Sequence, residues 1–470
     1  MEDWLEKTLE KARKQYGSVE LKTIKGRHYL YKVTSVYDPE KKRARKISGE
    51  YLGRVTREEG LIEPRRRVRS IHEYANAKLL STLLDEATLS LRECFPDDWR
   101  ELAALSIVKT TRNVPIKYAK DAWEKLHTST EMEAHLSPNT VSEKLRAVGA
   151  DWEAQRRFFR SLMKESDVYY YDLSSIFSRS VNLSLAEKGY NKDHLYLDQV
   201  NFALLFSREK RTPVMLKSMP GSIRDVKSLR TVLEEFPVRD CVLVLDRGFY
   251  SAKGVEELLS LGAGFVQPLR RNSRLVDYSL IPSMLFVYRK RGIKYAVKEV
   301  PEAGDGVRLF LFEDVLLRGE EHSNLIRLRV GRGGEGVEID ERRLGKVSIL
   351  SNLDLGGEEV YGLYKGREEV EQAFDALKNE LENDKLYLGD DDAVRGYFFV
   401  SFLCLYLYFR VLGLIRAAGL SDGLGVGELL FQLSKVYSVG YGGGRFSLSD
   451  VPGGVERLIG RLGLDILPKS

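Results

Sequence analysis

The chain has 470 residues, 43% of them hydrophobic and 30% charged, with three cysteines and a formal net charge of +5. This length exceeds one ordinary hydrophobic core and sets an expectation of about two to four domains, and the composition excludes a disordered or fibrous chain. Cys94, Cys241 and Cys404 are odd in number and far apart, which argues against a disulfide framework or zinc cluster and for core thiols in a reducing cytoplasm.

The charge is front-loaded. Residues 1–70 hold 19 Lys/Arg against 11 Asp/Glu, a balance of +8, which leaves the other 400 residues at −3. A basic head neutralises phosphates and steers DNA, and an acidic remainder suits a metal site. No apolar run follows the charged start, so no signal peptide is expected. The one long apolar run, Tyr397 to Ile415, is interrupted by Arg410 and reads as a buried core helix, so no membrane partner is expected.

In chain order, Trp4 to Tyr16 has helical spacing. Val19 to Ile24 and His28 to Val33 alternate as two strands around Lys25-Gly26-Arg27, and Ala44 to Leu52 reads as a third. Residues 1–70 are therefore expected to form a small basic β module. The cluster Arg65-Arg66-Arg67 after it is the best candidate for phosphate contacts outside the core. From 71 to 160 the period is helical, with breaks at Pro96, Pro115 and Pro138 and a cap at Ser137, giving an all-helical module expected to bind DNA, with a spacer that holds domains apart as the alternative.

At 167–177 the pattern becomes a strand, Asp-Val-Tyr-Tyr-Tyr-Asp-Leu, in which Asp172 is costly to bury unless paired or metal-bound. Strands follow at Phe202 to Ser207 and Pro213 to Met219. Next come a helix at Val226 to Phe236 and an apolar strand, Cys241 to Leu245, that delivers Asp246-Arg247-Gly248-Phe249. A helix at Ala252 to Leu261 and a strand at Gly264 to Leu269 complete the run. Three strands in meander, then helix, strand, helix and strand, is the order of a ribonuclease-H-like core, a mixed sheet flanked by helices. Residues 272–346 read as an antiparallel β insertion, with segments at Leu285 to Arg289, Lys294 to Val300, Arg308 to Phe312 and Leu325 to Val330. The core then resumes over 347–420, and 421–470 reads as a C-terminal helical region with a Gly-rich loop at Gly440 to Arg445.

The stretch Tyr364 to Lys378 reads as the active-site helix. On an ideal helix Tyr364, Arg367, Glu371 and Lys378 fall within an arc of roughly 60°, opposite the apolar Val370, Ala373 and Leu377. A solvated helix with an i, i+4 ion pair from Arg367 to Glu371 is the plain alternative. The spacing Tyr-x2-Arg-x3-Glu-x6-Lys resembles the signature of one large branch of DDE transposases from bacterial and archaeal insertion sequences. The resemblance extends to Gly189-Tyr190-Asn191-Lys192-Asp193-His194, Gln199-Val200-Asn201, Pro220-Gly221 and Asp246-Arg247-Gly248-Phe249, and so spans about 165–271 and 345–417.

That resemblance implies an α/β, ribonuclease-H-like catalytic core, parted into 161–271 and 347–420, in which Asp172, Asp246 and Glu371 hold two Mg²⁺ ions, with Mn²⁺ able to substitute. Tyr364, Arg367 and Lys378 are implied to hold the phosphates of the element's ends, with Arg247 beside them on DNA. The implied partners are double-stranded DNA, as terminal inverted repeats and target, and a second copy of the chain in a synaptic homodimer. The implied place is the nucleoid-associated cytoplasm of a prokaryote. Some members use a Trp in the β insertion to stabilise a flipped base; here Trp4, Trp99, Trp123 and Trp152 all precede the core, and Phe286 or Tyr288 would have to stack instead. The rivals are a DNA-binding regulator or architectural protein that does not transpose, and a related nuclease without strand transfer. A glycosidase with paired carboxylates would leave the basic head without a role.

Overall fold

The computed structural model describes the chain outside residues 1–2, 39–42, 63–67, 179, 181, 190–196, 224, 237, 332–339, 381–384, 387, 443–444 and 469–470. It has two units, residues 1–71 with 439–447 and residues 72–438 with 448–470. In the first unit, Leu5, Leu9 and Ala12 form the apolar stripe of α1 (Asp3–Tyr16). They pack on Leu30, Leu52 and Val55 of an antiparallel meander, β1 (Val19–Ile24), β2 (Arg27–Asp38), β3 (Arg43–Thr56) and β4 (Gly60–Ile62). Lys25 and Gly26 join β1 to β2 with φ of 50° and 75°, the two left-handed residues that a tight hairpin turn requires. A short strand, β5 (Ser70–Glu73), follows.

The second unit begins with α2 (Ala75–Cys94), α3 (Trp99–Thr111), α4 (Ala119–Trp123), α5 (Pro138–Ala150) and α6 (Trp152–Leu162). Ser137 caps α5 as expected, its hydroxyl accepting the Thr140 N–H at 3.2 Å. These helices share one core with α12 (Asp391–Ala417), whose Phe399 meets Phe95, Phe158 and Phe159 at ring distances of 4.9, 5.3 and 5.6 Å. α12 is long and apolar enough to cross a membrane, and 72% of its most apolar window is buried inside the protein.

The sheet starts with β6 (Val168–Ser178), the short β7 (Glu187–Lys188), β8 (Asp198–Ser207) and β9 (Thr212–Pro220), with β6, β8 and β9 antiparallel in turn. After α7 (Asp225–Glu235), β10 (Val242–Val244) pairs parallel to β6. After α8 (Ala252–Ser260), β11 (Gly264–Pro268) pairs parallel to β10. The order β9-β8-β6-β10-β11 follows from three meander strands and two helical crossovers. β12 (Met284–Tyr288), β13 (Arg291–Glu299), β14 (Arg308–Asp314) and β15 (Lys346–Ser351) then continue the same sheet antiparallel, with β15 seated between β14 and β11. Strands β12 to β15 thus extend the central sheet, which has 11 strands among the described residues, counting β16 (Lys385–Leu386) beside β6.

Side-chain alternation gives the two faces of this sheet different helices. Phe202 of β8 meets Phe374 and Phe398 at 5.5 and 5.3 Å, and Phe206 meets Phe409 at 4.9 Å. On the other face Tyr171 donates its hydroxyl to Ser228 of α7 at 3.0 Å. The result is a mixed α/β fold with a large mixed sheet flanked by helices.

Three expected elements differ. The strand expected at Leu325 to Val330 is the end of a helix, α9 (Val315–Gly331). Its start is fixed by Asp314, whose carboxylate accepts the N–H groups of Leu316 and Leu317, both at 3.0 Å. The expected helix at 364–378 is two helices, α10 (Gly357–Gly366) and α11 (Glu368–Asp375), followed by a π turn at Ala376–Glu380. The region after 420 holds α13 (Val426–Leu433) and α14 (Gly453–Arg461), but also β17 (Tyr437–Gly442) and β18 (Arg445–Leu448). There Tyr437, Val439 and Tyr441 alternate with small residues at period two.

Helices α5 and α12 cross through two glycines. A Cβ on Gly396 would lie 1.9 Å from the Leu145 carbonyl oxygen, and one on Gly149 would lie 1.7 Å from that of Asp392. Gly413, further along α12, has nothing within 4 Å. Gly396→Ala is therefore expected to destabilise the protein by about 1–3 kcal/mol through overpacking, whereas Gly413→Ala should stabilise it by about 0.5–1 kcal/mol. Thermal or urea unfolding of the two variants checks the difference in sign.

Candidate active site

The pleat of β6 decides where Asp172 points. Tyr171 faces α7, so its neighbours Tyr170 and Asp172 face the side on which α10 and α11 lie. Asp172 is 7% exposed and lies opposite Leu204 in the β6–β8 register, with Oδ1 accepting the Leu173 N–H at 2.8 Å. A carboxylate buried this deeply requires a counter-charge.

Asp246 comes just past the C-terminal end of β10, where the chain turns into a short 3₁₀ segment, Arg247–Phe249. Its carbonyl accepts the N–H of Phe249 at 3.1 Å and the side-chain amide of Gln267 at 2.9 Å, which fixes the turn from the neighbouring strand β11. Gly248 lies close to the Asp225 carboxylate: a Cβ there would be 2.3 Å from its oxygen, so a side chain at this position would make Asp225 shift.

Gly366, the last residue of α10, passes close to the sheet: a Cβ there would lie 2.0 Å from the Tyr170 hydroxyl oxygen. Burial pushes that phenol up to about 12, so it stays protonated at neutral pH. The next residue, Arg367, has φ −58° and ψ −17° and reaches all three carboxylates. Its Nη1 lies 3.3 Å from Asp172 Oδ2, and its Nη2 lies 2.8 Å from Glu371 Oε1 and 3.5 Å from Asp246 Oδ1. The Arg367 side chain is 14% exposed, against 54% for Glu371. Strand, strand end and helix thus deliver three acids to one guanidinium.

Tyr364 borders this cluster. Burial raises its phenol, Asp246 and Glu371 add to the rise, and Arg367 and Arg247 oppose it. Arg247 itself is exposed. Lys378 does not join the carboxylates in the described contacts; its Nζ lies over the Phe202 ring, 5.9 Å from the centroid. Phe286 is held among Tyr295, Phe312 and Tyr361 at 5.5–6.3 Å, so it is a core ring. Tyr288 packs on Tyr361 at 5.3 Å at the end of β12. Arg65, Arg66 and Arg67 lie outside the described residues, as do Tyr190, Asn191, Lys192, Asp193 and His194.

Some motif residues are structural. Asn201 donates its side-chain amide to the carbonyls of Gly221 and Ile223, both at 3.0 Å, and so ties the turn after β9 onto β8. Gln267 escaped the sequence reading, although a buried amide in the otherwise apolar strand Gly-Phe-Val-Gln-Pro was a usable signal.

The donor set fits a hard divalent cation. Asp172, Asp246 and Glu371 supply only carboxylate oxygens, and Arg367 offsets one of their three charges. As the side chains stand, no group of three His, Cys, Asp or Glu among the described residues is close enough to hold a metal ion. Arg367 lies between the three carboxylates.

No curated protein matches the chain. Among solved structures, the cryo-EM structure of a piggyBac transposase synaptic complex with hairpin DNA is similar, at 10% identity and a TM-score of 0.41, over 77% of this chain and 76% of that one. Residues 172–407, half of the chain, match the family described as Transposase DDE domain, a span that opens on Asp172 and includes Asp246 and Glu371. The chain belongs to this transposase family.

Proposed function

We propose that this transposase acts by cut and paste on a prokaryotic insertion sequence, in the nucleoid-associated cytoplasm. Water would hydrolyse a phosphodiester at each end of the element, and the freed 3′-hydroxyl would attack target DNA in a transesterification. The observation that carries the reading is the convergence of Asp172, Asp246 and Glu371 on Arg367 within 3.5 Å. The strand order β9-β8-β6-β10-β11, with two acids at β6 and past the end of β10, supports a ribonuclease-H-like core. We assign residues 161–271 and 347–420 to that core, 272–346 to its insertion, 1–70 and 71–160 to DNA-binding modules and 421–470 to a C-terminal region.

Asp172, Asp246 and Glu371 would hold two Mg²⁺ ions, or Mn²⁺ in their place. When bound, such ions supply the Lewis acidity and charge neutralisation that phosphodiester cleavage needs. The chain's own groups do the positioning. Buried Asp172 anchors the cluster, and half-exposed Glu371 faces the approach of DNA. Arg247 and Arg367 would hold phosphate oxygens, Tyr364 would donate its phenolic proton to one, and Lys378 would hold the strand further along the helix. Arg367 would first act as the internal cation of the cluster and turn to phosphate once the carboxylates have another counter-charge. Two ends must be cut and joined, so a homodimer on terminal inverted repeats and target DNA is the assembly this reading requires.

Glu371→Gln keeps the shape of the site and removes one charge. With Mg²⁺ and a fragment bearing the gene's flanking terminal repeats, the variant is expected to lose both cleavage and strand transfer, by more than about a hundredfold, while still binding the ends. Gel analysis of products tests this, and cleavage without joined product in wild type would favour a nuclease instead.

Arg367→Ala removes the guanidinium beside the buried Asp172. In EDTA the variant is expected to be about 3 kcal/mol less stable than wild type. Addition of Mg²⁺ should raise its melting temperature more than that of wild type. Calorimetry with and without Mg²⁺ measures both effects independently of activity.

A further inference from the structure

The N-terminal sheet has one face under α1 and a second face that the catalytic reading does not use. Leu21, Leu30, Leu52, Val55 and Leu61 point toward α1. By alternation their neighbours point away. The register places Lys22 opposite Tyr29, Tyr29 opposite Arg54, and Tyr31 opposite Tyr51. The rings form a continuous surface, with Tyr29 to Tyr51 at 6.1 Å and Tyr31 to Tyr51 at 5.3 Å. Cations border it: Lys22 Nζ lies 4.9 Å from the Tyr31 ring centroid, and Arg54 is exposed on β3. Glu20, opposite Tyr31, adds one acidic group at the β1 edge. The β2–β3 pairing shifts register on both sides of Tyr31, an irregularity of the kind that re-aims a side chain.

We propose that this face binds single-stranded DNA, with bases stacked on Tyr29, Tyr31 and Tyr51 and phosphates held by Lys22 and Arg54. Ring faces have little to stack on in a duplex, where the bases cover one another and only their edges reach the grooves. An unpaired strand offers bare base faces between regularly spaced charges, which an aromatic sheet bordered by Lys and Arg matches. The basic head of the chain, +8 over residues 1–70, adds the attraction that draws any DNA strand to this unit. The proposed site shares no residue with the carboxylate cluster and does not depend on which reaction that cluster performs.

The test uses the full chain in EDTA, so that no DNA is cut, with fluorescein-labelled oligothymidylate and a duplex of equal length followed by anisotropy. Tyr29→Ala and Tyr31→Ala are expected to weaken oligothymidylate binding by about 5- to 150-fold each, the range for one lost base stack, and to change duplex binding by less than about twofold. Tyr31→Phe, which keeps the ring, should bind like wild type. Lys22→Gln with Arg54→Gln should reduce the slope of log affinity against log salt by about 1.4. Unchanged affinity in the alanine variants overturns the proposal, as does an equal loss for single strand and duplex. A loss in Tyr31→Phe as large as in Tyr31→Ala overturns stacking. Circular dichroism checks folding. Should the alanine variants fail to fold, photocrosslinking of wild type to 5-iodouracil DNA decides: adducts on Tyr29, Tyr31 or Tyr51 support the site, and adducts only elsewhere refute it.

Discussion

Three carboxylates held within 3.5 Å of one guanidinium are the constraint on which the rest of this transposase is arranged. Two unit charges about 4 Å apart at an effective dielectric of about 20 interact by roughly 4 kcal/mol. That gain is offset by a desolvation cost of several kcal/mol for each buried ion. For Glu371, half exposed, solvent screening removes most of the gain. The cluster therefore contributes little net stability when whole. What Arg367 does is hold three mutually repelling acids at fixed places.

The sheet makes this placement reproducible. Asp172 is set by β6, paired on both sides by β8 and β10, and Asp246 follows directly from β10. Only Glu371 and Arg367 come from a helix, and that helix is seated on the sheet through Phe374 against Phe202. Two acids thus come from the sheet, and the more exposed member, Glu371, comes from the helix packed on it. Strands β12 to β14 lengthen the same sheet, and Tyr361 of α10 packs on their Phe286, Tyr288 and Phe312.

Much of the site was legible because its signals are local. An Asp within a run of aromatic strand residues, an Asp after an apolar strand and a polar stripe at helical spacing each follow from a period that can be counted. The plain alternative for the stripe, an Arg367 to Glu371 ion pair, is also present, at 2.8 Å, and is part of the site. What escaped depends on contacts between distant residues. Arg367 as the centre of the cluster requires knowing that Asp172 arrives from 195 positions away. The strand expected at Leu325 to Val330 alternates in sequence, yet α9, started by Asp314, carries the segment into a helix with no buried residue among those described. Alternation without a sheet edge to pair with does not make a strand.

The break in the active-site helix shows how tertiary contact edits a sequence pattern while leaving its function readable. Gly366, where α10 ends, lies against the Tyr170 hydroxyl. Arg367 keeps near-helical dihedrals as α11 begins, so the four-residue spacing to Glu371 still places both on one side. Past Asp375 the π turn holds more residues per turn than an α-helix, and every later side chain is rotated from its ideal direction. Lys378 lies within this π turn, and its Nζ sits over the Phe202 ring, 5.9 Å from the centroid.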